Sequence, residues 1–545
     1  MPASKLLPNL SFKDFMTYAE LESFLKALAA ARPGLTKLHS LGPSREGRQV
    51  YCLTITDLST RAPEDKPAYL IHGNIHASEL SGTHAALYTA RQLLADHPKQ
   101  RGLLQEAVFH IVPRLNPDGA ERVATAAESV RSRMDRSVLV PNTLYQSDID
   151  GNGLLLDMIW AHPDGNLVKD PKDPRLLVTR KKDSRPPCYR RAPEGKIHMW
   201  DGSENFAVEG RWIDWNRQWS YDWRPEPEQG GAGDFPYSEP EMRHIASFIH
   251  ARSTLFGILG YHNGPAGVLR PPSTGTDDSL DNGDLRKMDA LAKIGSKLTG
   301  FPVIPIYKYH DASSRHINLY GHFPSTGYLH FGLFVIEIEL GMIYDSAGVG
   351  SMEIFANETP EQFEAQMRKV LKWWDKRRKS VPLYHPWKKF KHPQLGPVEI
   401  GGFNRKYLSG PLLSDLKKTC AKTYQFTLEH AAKRPRVMIE DVSAQEVGDG
   451  IYRVRARVAN RGEFPTNITN RGKQLARLKT VRVEFETGSG VKVLSQKAHH
   501  DLGHLNGLSD SRPLEWFVSA KKGSTCTLRV LGGTGGNQKA TVPLR

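Results

Sequence analysis

Cysteine is scarce in this chain. Its 545 residues hold four, Cys52, Cys188, Cys420 and Cys526, and no two stand in a CxxC spacing. That spacing suggests neither a cysteine zinc site nor a disulfide framework, so buried or idle thiols are expected. No apolar run is long enough to span a bilayer. The opening stretch MPASKLLPNLSFKDF lacks the apolar core and small-residue cleavage site of a signal peptide. A cytoplasmic location is the default expectation, with secretion or a periplasmic location open if a leader was trimmed. A recognised nucleic-acid motif is also missing, despite a formal net charge of +15 and a pI near 9.4. The basic excess gathers from Arg368 to Lys391, in RKVLKWWDKRRKS and HPWKKFKHP. A solvated basic face and an anion-binding patch both fit it, and a nucleic-acid partner is not expected.

What is present divides the chain. This length exceeds one ordinary core, so two or three domains are expected. Tyr18, Leu21, Phe24, Leu25 and Leu28 recur at helical spacing and predict a helix over 12–32, stopped by Pro33-Gly34. Strand-like runs follow at 35–41, 49–56 and 68–71, then a helix over 78–95. A strand at 108–113 leads into the turn Asn116-Pro117-Asp118-Gly119. Strands alternating with helices predict a sheet with parallel strands, whose ligands sit beyond the strands' carboxyl ends. From Met134 to Gly210 the periodicity fades, and a long ordered insertion or loop excursion is expected. Helical runs return at 240–253 and 285–298, and the apolar strand 331–336 precedes Glu337-Ile338-Glu339-Leu340. A further helix ends near Lys379, connectors run to about Gly410, and a helix covers 412–433. From Arg436 onward, short alternating strands between Gly- and Asn-rich turns predict a β-sandwich. The expected division is 1–380, a connector with helix over 381–435, and a sandwich over 436–545.

Chemistry concentrates in a few strings. His76 and Glu79 stand three apart, just past the run Ala68-Tyr69-Leu70-Ile71, and His262 follows far downstream in Tyr261-His262-Asn263-Gly264. Two His and one Glu fill three positions around a zinc ion and leave a fourth for water. An HxxE alone is a weak signal. Glu339 ends an apolar strand and shares a strand face with Glu337. One could act as a base and the other as partner of a basic residue; a plain sheet-end ion pair is the bland alternative. In Asp214-Trp215-Asn216-Arg217, Arg217 and Asn216 can hold a carboxylate, and Asp214 can fix the tautomer of a ligating imidazole. Arg131 and Arg133 are available as oxyanion donors. Asp148, Asp150 and Asn152, ahead of Gly153, look like the first half of a calcium loop, although position twelve is Ile159; an ordinary Asx-rich turn is the alternative.

Taken in order, these strings resemble the zinc carboxypeptidase (metallocarboxypeptidase) family. The matching series is His76 and Glu79, RLNPDG from Arg114 to Gly119, DxNR from Asp214 to Arg217, the lone His262, and Glu339-Leu340 closing a strand. The resemblance covers roughly residues 12–375. It implies a mixed eight-stranded sheet with helices on both faces. It further implies one zinc ion on His76, Glu79 and His262, with Glu339 as general base and Asp214 supporting His76. Asn216 and Arg217 would receive the terminal carboxylate of a peptide substrate. Arg131 falls where the family's oxyanion arginine lies, and Tyr320 is the nearest candidate for its mobile tyrosine. The implied activity is hydrolysis of the C-terminal amide bond of peptides. The family's selectivity position falls near the uncharged Phe323-Pro324-Ser325, which predicts an apolar or broad preference, while the net charge pulls weakly towards acidic substrates. Two other functions stay open: a zinc amidase acting on cell-wall peptides or acyl amino acids, and a catalytically silent binding protein that uses the sandwich.

Overall fold

The computed structural model describes residues 6–210, 212–311, 319–351, 359–377 and 381–545. The first helix runs Tyr18–Ala31 and buries Leu21, Phe24, Leu25 and Leu28. It starts later than its apolar spacing suggests because Thr17 and Glu20 form a capping box there.

Eight strands build one mixed sheet. Their spatial order is Thr36–Pro43, Gln49–Ile55, Val108–Val112, Ala68–Gly73, Leu255–His262, Phe334–Glu339, Gly267–Arg270 and Val303–Pro305. The four middle strands, from Val108–Val112 to Phe334–Glu339, run parallel. They are buried along their whole length, so they read as continuous apolar runs rather than alternating ones. Helix Leu413–Ala432 packs against Ser81–Ala95 and Asn282–Thr299 beside this sheet. Leu413, Leu416, Cys420 and Phe426 thereby join the main core. Tyr69 Oη lies 2.7 Å from His430 Nδ1. In packing, helix Leu413–Ala432 belongs to the α/β body.

The stretch where periodicity fades is strand-rich. Asp157–Ala161, Leu167–Asp170, Asp173–Thr179 and Tyr189–Pro193 combine with the hairpin Tyr384–His392 and Gly396–Phe403 into a six-stranded antiparallel sheet. Leu156, Met158, Ala192, Val398 and Ile400 share a small core of their own. The strands are short, and the pairing that joins the hairpin to the insertion, such as Glu399↔Ile159, links residues more than 200 apart. Local periodicity cannot signal such a pairing. The hairpin also accounts for part of the basic excess. Lys388, Lys389 and Lys391 are exposed on the edge strand Tyr384–His392. Lysines there oppose edge-to-edge pairing with another chain. Arg368, on the helix Pro360–Arg377, pairs with buried Asp170. The predicted end of that helix near Lys379 lies outside the described residues.

The C-terminal region is a strand-rich β domain. One sheet holds Val437–Gly448, Ile451–Asn460, Leu514–Ser519 and Lys492–Val493, with Ser509–Asp510 pairing at its side. The other holds His499–Gly503, Val481–Glu486, Thr525–Leu531 and Gln538–Pro543. Tyr452, Val454, Val458, Val483, Trp516, Leu528 and Val530 form its core. It is attached to the α/β body by apolar and polar contacts, and Phe464, Ile468 and Leu478 join the main core. Arg477 donates to the carbonyls of Phe331 and Arg252 at 3.1 and 2.8 Å, closing the end of helix Pro240–His250. All four cysteines are free and buried. Among the described residues, no helix is long and apolar enough to cross a membrane.

Candidate metal centre

Three neighbouring parallel strands end side by side. In register, Tyr261 stands opposite Gly73, and His262 opposite Glu339. After Gly73 the chain turns sharply into helix Ser81–Ala95. A Cβ on Gly73 would lie only 2.5 Å from the Gly82 carbonyl oxygen, so this close approach requires glycine. The tight turn carries His76 and Glu79, with Glu79 N–H donating to the His76 carbonyl at 3.2 Å. The helix therefore starts at Ser81 instead of Ser78.

The three predicted ligands meet. His76 Nδ1 is 2.8 Å from Glu79 Oε1, His262 Nδ1 is 3.0 Å from Glu79 Oε2, and the two Nδ1 atoms are 3.3 Å apart. All three residues are buried. Each imidazole is held from behind through its other nitrogen. His76 Nε2 lies 3.0 Å from Asp214 Oδ1, and His262 Nε2 lies 3.2 Å from Glu337 Oε1. A proton kept on each Nε2 leaves both Nδ1 lone pairs facing the Glu79 carboxylate. Two neutral imidazoles and one carboxylate converging on one point fit a zinc ion.

Charge around this point is finely balanced. Burial pushes the Glu79 carboxyl up, but His76 and His262 outweigh it and hold it well below the usual range. Burial acts likewise on Asp214 and is outweighed by Arg217, His76 and Arg131. His262 is raised despite burial, because Glu337 and Glu79 face it. Glu339 goes the other way. Burial, with Glu79 and Glu337 nearby, pushes its carboxyl up to about 8. Its Oε2 is buried with no hydrogen-bond partner among the described residues.

A cavity of about 1150 Å³ opens over this cluster. Arg131 lines it, 41 % exposed, donating to Glu79 Oε1 at 2.8 Å and to Asp214 Oδ2 at 3.2 Å. Arg133 faces elsewhere and forks onto Glu239 at 2.8 and 2.9 Å. Asn216 and Arg217 lie on the short turn Trp215–Arg217, capped by the Asp214 side chain. Asn216 Nδ2 is 2.9 Å from His322 Nε2, and Asn216 Oδ1 accepts the Phe323 N–H at 2.9 Å. Arg217 Nη1 donates to the Asn216 carbonyl at 2.7 Å, with Asp214 Oδ2 at 3.6 Å from its Nη2. Asp214, Asn216, Arg217 and His322 border the same cavity as Glu339.

Tyr320 also borders the cavity, with the Arg224 guanidinium 5.1 Å from its ring centre. A second tyrosine is closer to Glu339. A Cβ on Gly264 would overlap Tyr309 Oη and lie 2.8 Å from Glu339 Oε2, so these two side chains flank one small gap. Burial, then Glu339 and Glu79, raises the Tyr309 phenol well above its usual range. Tyr309 and His322 escaped the sequence reading because neither stands in a local motif.

The calcium expectation meets a different geometry. Asp148 and Asp150 do approach Glu194, from the strand-rich insertion, within 4.8 Å. The carboxylates already accept backbone amides: Gly151 and Gly153 donate to Asp148 at 2.8 Å each, and Ile149 donates to Glu194 at 2.6 Å. Asn152 N–H donates to Asp150 Oδ1 at 3.1 Å. The loop has the bonding of an Asx-rich turn.

A family model described as zinc carboxypeptidase matches residues 21–346. A second model, a domain of unknown function, matches residues 436–543. Carboxypeptidase D of Mus musculus is 32% identical over 116 residues, which are 20% of this chain and 8% of that protein. A protein of Ajellomyces dermatitidis named inactive metallocarboxypeptidase ECM14 is 28% identical over 120 residues, 22% of this chain and 20% of its own length. The matched stretch thus spans a small part of either relative. Among solved structures, thrombin activatable fibrinolysis inhibitor matches over 68% of this chain and 76% of its own, at 15% identity and a TM-score of 0.41.

Proposed function

The chain belongs to the zinc carboxypeptidase family, and from that premise we propose that it is a zinc-dependent exopeptidase releasing the last residue of peptides with a free C-terminal carboxylate. One observation carries this reading: His76 Nδ1, His262 Nδ1 and the Glu79 carboxylate converge beneath a cavity that Glu339, Arg131, Asn216 and Arg217 also line.

His76, Glu79 and His262 would hold a zinc ion, whose Lewis acidity would make water a nucleophile near neutral pH. The remaining work falls to side chains. Glu339 takes the proton of the attacking water and passes it to the departing amide nitrogen. In the metal-free chain its raised affinity for a proton suits the first half of that exchange. Arg131, exposed in the cleft, donates to the carbonyl oxygen as negative charge builds there. Arg217 and Asn216 receive the terminal carboxylate, so only the last bond reaches the reacting centre. Asp214 keeps a proton on His76 Nε2 and thereby fixes its tautomer. Tyr309, whose phenol lies beside Glu339 and donates to the Pro265 carbonyl at 3.2 Å, joins Tyr320 as a candidate for the tyrosine that meets the substrate.

The test joins metal analysis of the purified protein to a C-terminal release assay. Chelator-sensitive release from free peptides, with amidated peptides spared, is the expected result. Cleavage of peptidoglycan stem peptides or acyl amino acids in preference would favour the amidase. Zinc binding without hydrolysis of any of them would favour a silent binding protein.

A further inference from the structure

His262 is held as firmly from behind as His76. The His76 arrangement has its counterpart in the DxNR string; the His262 arrangement has none in any string of the family resemblance. Glu337 Oε1 lies 3.2 Å from His262 Nε2, and both side chains are 2% exposed. The sheet itself sets this contact. His262 and Glu339 are register partners on adjacent parallel strands, and Glu337, two residues back, projects from the same face one step nearer the strand's start. A Cβ on Gly260, the register partner of Glu337, would lie 3.2 Å from Glu337 Cγ, so the glycine leaves room for that carboxylate.

Resting on the zinc reading above, we infer that Glu337 is a second positioning residue for the metal, acting through His262 as Asp214 acts through His76. Glu337 fixes the proton on His262 Nε2, points Nδ1 at the ion and raises the basicity of that nitrogen. It also completes the charge. Glu79, Asp214, Glu337 and Glu339 supply four negative charges when ionised. Arg131, Arg217 and a divalent ion supply four positive ones. A neutral residue at 337 leaves the buried site one positive charge in excess, which disfavours a bound cation.

Partners that orient a ligating histidine are typically worth about 10–100-fold in metal affinity. The experiment is a zinc competition titration of the full chain against a chromophoric chelator, on the wild type, Asp214→Asn, Glu337→Gln and Glu337→Asp. Circular dichroism of each metal-free protein monitors the fold. A loss of zinc affinity of fivefold or more in E337Q, with E337D between it and the wild type, supports the inference. A change of less than fivefold in E337Q overturns it. Should E337Q fail to fold, E337D alone decides by the same threshold, because it keeps the charge while drawing the carboxylate back from His262. Wild-type protein that binds no zinc would sink the zinc reading instead. Zinc binding that D214N weakens and E337Q does not would sink only the role of Glu337.

Discussion

The chain gathers acidic and imidazole groups twice, and the two clusters are built in opposite senses. His76, Glu79 and His262 come within 4.8 Å of one another, and so do Asp148, Asp150 and Glu194. In the first, hydrogen bonds arrive from behind. Asp214 and Glu337 occupy the Nε2 atoms and leave both Nδ1 atoms turned inward, under a cavity. In the second, backbone amides occupy the carboxylate oxygens themselves. Proximity is shared, whereas the direction of the free lone pairs is not. The first cluster is organised for a ligand from outside the chain, and the second holds the insertion's backbone in place.

The comparison breaks most sharply at Glu339. On the proposed mechanism, replacing it by Gln removes the base and leaves the three proposed zinc ligands in place. Turnover is expected to fall by about 10²–10⁴-fold, with zinc content per chain unchanged by elemental analysis. Substantial surviving turnover would take Glu339 out of the mechanism. The second effect is one of pH. Burial raises the Glu339 carboxyl from 4.5 to about 8 in the metal-free chain, and His262 is raised as well. Between the unfolded and folded values, the folded chain holds protons that the unfolded chain has released. Their contribution to stability is complete below pH 4.5 for Glu339 and lost as pH rises through 8. Thermal unfolding of metal-free protein should therefore show Tm falling from mildly acidic to alkaline pH. A bound cation competes with those protons, so zinc affinity should rise by about tenfold per pH unit for each proton displaced. Zinc affinity flat across this range would show that neither group is linked to the ion.

Arg217→Ala tests the cavity rather than the cluster. Hydrogen bonds to charged groups contribute about 1.5–3 kcal/mol. The kcat/KM for peptides with a free carboxylate should drop roughly 10–100-fold, chiefly through KM. Equal rates on free and amidated peptides in the parent protein would show that this anchor is misassigned.

The first cluster was legible because its parts sit in short strings whose order carries information. His76 with Glu79, Asp214 with Arg217, and Glu339 after an apolar run each mark a strand end or the turn after it. Glu337 was half legible: sharing a strand face with Glu339 suggested a basic partner, and that partner proved to be His262. Tyr309 was not, because its closeness to Glu339 depends on how the segment after Val303–Pro305 folds back across Gly264. The insertion is ordered, one of its two expected forms, but its pairing is not legible for a related reason. Its sheet pairs residues 157–159 with 399–401, and no local pattern encodes a partner so distant. The Asp148 loop was read as a possible ion site from side-chain chemistry alone, which is silent on the amides that now fill its oxygens.

Glu194 gives the smallest effect on catalysis and the cleanest contrast. Its carboxylate is buried, accepting the N–H groups of Ile149 at 2.6 Å and of Asp150 at 3.3 Å. Burial pushes it up to about 7, so it holds on to a proton at far higher pH than an exposed glutamate. Glu194→Ala removes that acceptor and strands both amides in a half-buried loop. Unpaired buried donors cost about 1–3 kcal/mol each, and the loss should appear in urea unfolding as a lower midpoint. The loop does not line the catalytic cavity. Zinc affinity and kcat/KM should therefore stay within twofold of the parent. A variant that unfolds early yet binds and cleaves normally would separate the two clusters by function. Loss of zinc or turnover in step with Glu194 would mean that the insertion's sheet, whose Pro193 and neighbouring Glu209 border the cavity, holds the cleft in its working shape.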